Sequence, residues 1–135
     1  MSAQEALQLL LPDPKRWLSS QQVGYLLDPA TKDPKGAAGE ARRREQVFAV
    51  WDGEQYLYPS FQFDGDRCVR PQTSALVAVL PRDGDDRRVN LDATLWVFSP
   101  KRALGERTPA EVFPTDPDAV IALARRLRDG WPDSD

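Results

Sequence analysis

Histidine is absent from this chain of 135 residues, and cysteine occurs once, at Cys68. A single thiol cannot form an intramolecular disulfide, and without histidine the chain lacks the side chain that most often transfers protons near neutral pH. Most acidic residues stand in Asp-Pro, Asp-Gly and helix-start positions, where capping and turn formation explain them. We therefore expect neither an enzyme nor a metal or cofactor site.

Long hydrophobic runs are also missing, since no stretch approaches the roughly 20 apolar residues that a membrane helix needs. The N-terminal residues lack the basic region and apolar core of a secretory signal, and the Leu9-Leu10-Leu11 run ends at Pro12. We expect a soluble, cytoplasmic protein without a membrane partner. The formal net charge of -3 argues mildly against nonspecific binding to nucleic acid, unless a local basic patch overrides it.

The first half of the chain predicts helices followed by one β-hairpin. Helical spacing of apolar residues predicts a short helix over 3–11, and a Ser19 cap with Gln22 three residues later predicts a second helix over 20–27. The Gly- and Pro-rich stretch 30–39 indicates a loop, and 40–46 is a strong helix former. Asp52-Gly53 between two β-prone runs, 47–51 and 55–58, predicts a type I′ hairpin.

The second half predicts helices over 72–80 and 90–98, separated by a charged stretch over 82–88 that indicates a solvated loop. Two further helix starts follow, at Thr108-Pro109, where Glu111 three residues after Thr108 predicts a capping box, and at Asp116-Pro117. The predicted fold is mainly α with one β-hairpin, an α+β arrangement. We expect an N-terminal part over 1–63 and a C-terminal helical part over 64–135.

The helix over 20–27, the cationic helix over 40–46 and the hairpin follow the order of a degenerate winged helix-turn-helix. A recognition helix of this kind would contact DNA through Arg42, Arg43 and Arg44. The predicted loop between the helices is several times longer than the usual tight turn. A solvated cationic helix face is the alternative interpretation.

Five aromatic residues in and after the hairpin could stack on bases if they were displayed on the surface. They are Trp51, Tyr56, Tyr58, Phe61 and Phe63. Tyr56 and Tyr58 share one face of a strand, so we expect them to cover a core instead.

Residues 96–113 read WVFSPKRALGERTPAEVF, and physically they indicate two helices joined by a glycine-containing turn. The tryptophan, proline, Leu-Gly and Thr-Pro landmarks resemble the toxin-binding domain of the Xre/MbcA/ParS antitoxins. The string PSFQFD at 59–64 is similar to a segment that precedes this domain in relatives. The resemblance covers about 59–130, roughly the second half of the chain.

The resemblance implies an antitoxin of a type II toxin–antitoxin system, which occludes the active site of a cognate toxin, commonly a RES-domain toxin that acts on NAD. Relatives often carry an N-terminal helix-turn-helix and repress their own operon, so operator DNA is the alternative partner, and a homodimer fits either function. Exposed aromatic and arginine side chains dominate binding energetics. The expected toxin interface comprises Trp96, Arg102, Leu104, Arg107, Glu111, Arg125, Arg128 and Trp131.

Overall fold

The computed structural model describes residues 17–83 and 88–127. The expected helix over 3–11, as well as Arg128 and Trp131, lie outside these residues. The described residues form a small antiparallel sheet, a two-stranded ribbon and six α-helices, so the α+β class is confirmed. The strands are β1 Trp17–Ser19, β2 Val50–Trp51, β3 Tyr56–Pro59, β4 Arg82–Asp83 and β5 Arg88–Val89. The helices are α1 Ser20–Leu27, α2 Pro34–Arg43, α3 Thr73–Val79, α4 Leu91–Val97, α5 Pro109–Val112 and α6 Pro117–Leu127.

The predicted hairpin is present, with β2 and β3 paired up to Trp51 opposite Tyr56. Its loop spans residues 52–55 and is not the two-residue type I′ turn that we predicted. The Asp52 carboxylate accepts hydrogen bonds from the backbone N–H groups of Glu54 and Gln55, both at 2.8 Å. This side-chain cap stabilises a longer loop, in which only Gly53 has a positive φ, of 105°.

The prediction of a single hairpin was wrong, because the three-stranded sheet has the order β1-β3-β2. The strand β1 pairs antiparallel with β3, from Trp17 opposite Pro59 to Ser19 opposite Leu57. Three residues show no alternation of polar and apolar side chains that could be detected in a sequence. The pairing with β3 defines this strand.

The predicted loop over 30–39 was also wrong, since α2 begins at Pro34 and ends at Arg43. Asp33 is its N-cap and accepts a hydrogen bond from the backbone N–H of Gly36 at 3.1 Å, while proline occupies the first helical position. The linker between α1 and α2 is therefore only residues 28–33. Its backbone N–H groups at Ala30 and Asp33 donate to side-chain oxygens within the linker.

The sheet separates two apolar clusters, because neighbouring residues of β3 point to opposite faces. Leu57 belongs to the main cluster, and Tyr58 belongs to the N-terminal cluster. The N-terminal cluster comprises Val23, Ala38, Ala41, Val47, Ala49, Tyr58 and Phe63. The main cluster comprises Trp17, Phe48, Val50, Leu57, Leu76, Val77, Val79, Leu80, Val89, Ala93, Trp96, Val97, Leu104, Ala110, Val112, Phe113, Val120, Ile121 and Ala124. Residues from both sides of the expected boundary at 63/64 therefore contribute to the main cluster. The division into two parts stays a prediction.

The charged stretch 82–88 is not a solvated loop throughout, because β4 and β5 pair at its two ends. Arg82 forms an ion pair with Glu45 at 2.6 Å. At the other end Val89 is buried, and its backbone N–H donates to the Ala49 carbonyl at 2.8 Å. The stretch is therefore attached to the N-terminal half at both ends.

The predicted helices of the second half are confirmed as α3 to α6. Thr108 and Glu111 form the predicted capping box at the start of α5, and Asp116 accepts a hydrogen bond from the backbone of Ala119 at the start of α6. No helix of the described residues has the length and apolarity that a membrane crossing requires.

Candidate functional site

A groove with a volume of about 480 Å³ lies between the start of α1, the helix α2 and the hairpin. Ser19 and Ser20 line it from α1, and Trp51 and Tyr56 line it from the hairpin. Its charged lining residues are Lys35, Arg42, Arg43 and Glu54. The groove therefore carries three cationic side chains and one carboxylate.

A close approach at Gly24 fixes α2 against α1 and so shapes this groove. A Cβ atom at Gly24 would lie 1.8 Å from the carbonyl oxygen of Pro34, far inside van der Waals contact. Only glycine allows the first turn of α2 to pack directly on α1. The position of Lys35, the next residue of α2, depends on this contact.

Arg42 forms part of the inner wall of the groove. Its side chain is only 5% exposed, and its guanidinium carbon lies 3.6 Å from the centre of the Tyr56 ring. One guanidinium nitrogen donates to the Tyr58 hydroxyl at 3.1 Å. Arg42 therefore does not lie on a solvated helix face, and it orders the aromatic side of the hairpin.

Arg43 and Lys35 are exposed on the groove side of α2. Neither forms an ion pair with a carboxylate of residues 17–83 and 88–127. The ideal Cβ position of Gly39 lies 3.2 Å from an Arg43 guanidinium nitrogen and 3.6 Å from one of Arg42. The missing side chain at Gly39 thus lets two guanidinium groups converge on one point.

Arg44 is separate from this arrangement, because it caps the C-terminal end of α2 and does not line the groove. It pairs with Glu40 at 2.8 Å, and both side chains are more than half exposed, at 66% and 60%. Such surface pairs contribute little to stability. Of the three arginines expected to contact DNA, the structure brings Arg42 and Arg43 together at the groove.

The tryptophan and leucine of the antitoxin-like motif lie in the main cluster. Trp96 is 8% exposed and Leu104 is 7% exposed, and both pack in the same cluster as Phe113. The expectation that Trp96 is an exposed aromatic side chain was wrong, because its apolar ring is buried in the main cluster. Lys101 covers it, with the ammonium nitrogen 5.2 Å from the ring centre.

The loop over 101–107 presents the cationic part of this motif. Lys101 and Arg107 form an isolated antiparallel bridge that closes the loop, and Gly105 and Glu106 turn the chain with φ values of 69° and 65°. Desolvation by burial lowers the pKa of the Lys101 ammonium from its usual value. Arg102 and Arg107 are exposed on this closed loop.

The remaining residues of the expected interface have different surroundings. The Glu111 carboxylate accepts a hydrogen bond from the Thr108 backbone N–H at 3.2 Å, so helix capping accounts for this residue. Arg125 is exposed near the end of α6.

Sequence reasoning missed Lys35, Gly36 and Gly39 as groove residues, because it placed them in a loop. Asp33-Pro34 was the signal that could have found them, since the same pairing of a capping residue with proline correctly predicted the starts of α5 and α6. Within the described ranges no three His, Cys, Asp or Glu side chains are grouped so that they could hold a metal ion.

Comparisons of this chain with protein-family models, with curated proteins and with solved structures give no match.

Proposed function

We propose that this chain is an antitoxin of a type II toxin–antitoxin system, which binds a cognate toxin of the RES-domain kind through its C-terminal helices. The observation that carries the proposal is the assembly of the motif residues. Trp96, Leu104 and Phe113 pack in one cluster, and the loop between them is exposed. The three buried residues therefore hold the exposed loop in a fixed position, and a rigid surface of this kind suits recognition of a partner.

The mechanism is steric and electrostatic occlusion of the toxin. Arg102 and Arg107 lie on a closed loop with little freedom, so their binding costs less conformational entropy than that of a flexible segment. Arginine is enriched among residues that dominate binding energetics. The chain supplies the surface, and the chemistry stays with the toxin.

Coexpression of this chain with a tagged product of the neighbouring gene tests the proposal. We expect the two proteins to copurify, and a double variant, Arg102→Glu with Arg107→Glu, to lose at least about tenfold in affinity. The matched control changes the exposed residues Lys32 and Arg67 to Glu and is expected to bind normally. Separate elution of the two proteins would contradict the proposal.

A second candidate function, binding of operator DNA by the N-terminal part, is favoured by the short linker between α1 and α2. The linker 28–33 is closer in length to the tight turn of a helix-turn-helix than the predicted loop was, and the two helices pack together at Gly24. The hairpin β2–β3 follows α2 in the chain. Its strand β3 also pairs with β1, which directly precedes α1, and this pairing holds the hairpin beside α1. We infer that these elements form a winged helix-turn-helix in which α2 faces the DNA.

A gel shift with the DNA upstream of the gene, compared with a scrambled duplex over a range of salt concentrations, tests the second candidate. We expect a shift that weakens as the salt concentration rises, because phosphate contacts release counterions. No shift at low salt would refute it and leave the toxin-binding proposal standing.

A further inference from the structure

The groove between α1, α2 and the hairpin concentrates positive charge at one concave place. Arg42 and Arg43 approach the same point beside Gly39. Lys35 lies four residues before Gly39, one turn away along α2. Like charges held close together raise the local potential, and a concave surface focuses it. Such an arrangement attracts an anion.

The groove offers polar groups besides the cations of α2. Gly36 and Gly39 lie on the wall formed by α2, where the Asp33 carboxylate covers Gly36 and the two guanidinium groups lie beside Gly39. Ser19 and Ser20, at the start of the eight-residue helix α1, line the opposite side, where the helix end carries partial positive charge. Hydroxyl donors and cations are groups that commonly contact phosphate oxygens.

We propose that this groove is a phosphate-binding site, which takes a phosphate of the DNA backbone when the chain binds a duplex. The DNA identity of the ligand rests on the second candidate function above. The exposed cations here are Lys35 and Arg43, and both serve the phosphate. Contacts of this kind position a protein on DNA without reading its sequence. Sequence preference would then come from other residues or from the shape of the DNA.

Glu54 allows a test in which phosphate binding is expected to strengthen, because it is the one carboxylate among the residues that line the groove. Its charge repels a bound phosphate. Glu54→Gln is therefore expected to tighten binding by about two- to fivefold, which is the size of effect seen for exposed charges. A site that did not bind an anion would show no such gain.

The experiment measures the dissociation constant for a fluorescent duplex of about 20 base pairs by anisotropy at several NaCl concentrations. Lys35→Gln and Arg43→Gln are each expected to make the negative slope of log K against log salt shallower, by about 0.9 for the two changes together, because both side chains contact the same phosphate. Arg126→Gln makes the same charge change at an exposed site on α6 and is the control. Circular dichroism checks that all variants are folded.

A parallel titration of the wild-type chain with inorganic phosphate is followed by the NMR signals of the Gly36 and Gly39 amides. Slopes that become shallower for Lys35→Gln and Arg43→Gln but not for Arg126→Gln support the proposal. Equal slopes for all three variants overturn it and leave DNA binding intact. If no duplex binds, the second candidate function fails. The titration with inorganic phosphate then decides whether the groove binds phosphate at all. Shifts at the two glycines that are lost in the Lys35→Gln, Arg43→Gln double variant then support a site for a free phosphate compound, and unshifted signals overturn the proposal.

Discussion

Gln62 is the residue whose replacement tests the architecture most directly. Its side chain is fully buried and its amide makes three hydrogen bonds. It accepts from the Phe48 backbone N–H at 2.7 Å and donates to the carbonyls of Phe48 and Pro59 at 2.9 and 3.0 Å. The amide therefore pairs with both the N–H and the carbonyl of Phe48, as the backbone of a neighbouring strand would otherwise do.

Gln62→Leu keeps a similar volume and removes all three hydrogen bonds. At about 1 kcal/mol for each bond, with an added cost for backbone groups left buried and unpaired, we expect a loss of about 3–5 kcal/mol in the free energy of unfolding. That is a large part of the roughly 5–15 kcal/mol of a typical domain. Urea unfolding measures it, with the exposed Gln46→Leu as the matched control. A loss below about 1 kcal/mol would refute the assigned role of the amide.

Gln62→Glu adds a dependence on pH with a definite sign. One carboxyl oxygen would face the Phe48 and Pro59 carbonyls, which require a donor, so the folded state favours the protonated acid and raises its pKa. The folded state then binds more protons than the unfolded state, in which the carboxyl has a pKa of about 4.3. Stability is therefore expected to fall as the pH rises above about 4.3. A penalty equal at pH 4 and pH 7 would contradict this reasoning.

Three further predictions concern packing and capping. Gly24→Ala is expected to cost about 2 kcal/mol or more in urea unfolding, because the new Cβ would collide with the Pro34 carbonyl, whereas Gly65→Ala has nothing within 4 Å to meet and serves as the control. Thr108→Ala is expected to cost about 1 kcal/mol through loss of the α5 cap, and Thr108→Ser should recover most of it. The fragment 1–63 is expected to show no cooperative unfolding by circular dichroism, since its contribution to the main cluster would lose its partners. A sharp transition in that fragment would contradict the shared core.

The sequence predicted those parts of the fold that local interactions determine. The capping boxes at Ser19 and Thr108 were recognised correctly, because the cap and its partner lie three residues apart. The strand β1 was not recognised, because it is defined by pairing with β3, about forty residues away in the chain. The part of α2 before Glu40 was missed because its two glycines favour a loop locally, and its packing at Gly24 outweighs that preference.

The candidate site depended on the start of α2. With a helix starting at Pro34, Ala38, Ala41 and Arg42 fall on one face at helical spacing, and that face is buried. A helix started at Glu40 contains too little of this pattern to distinguish Arg42 from Arg43. The error in one boundary therefore became an error in which arginine is exposed.

The groove proposed to bind DNA and the 101–107 loop proposed to bind the toxin both depend on β3. Tyr58 holds Arg42 at the groove, while Leu57 packs with the cluster that carries the 101–107 loop. Gln62 fixes the end of β3 and the chain before β2, so its loss should remove both binding activities together. Changes at exposed cations of the groove or of the loop should remove only one activity each. A variant that unfolds the chain can thus be distinguished from one that removes a contact, because only the former affects both partners.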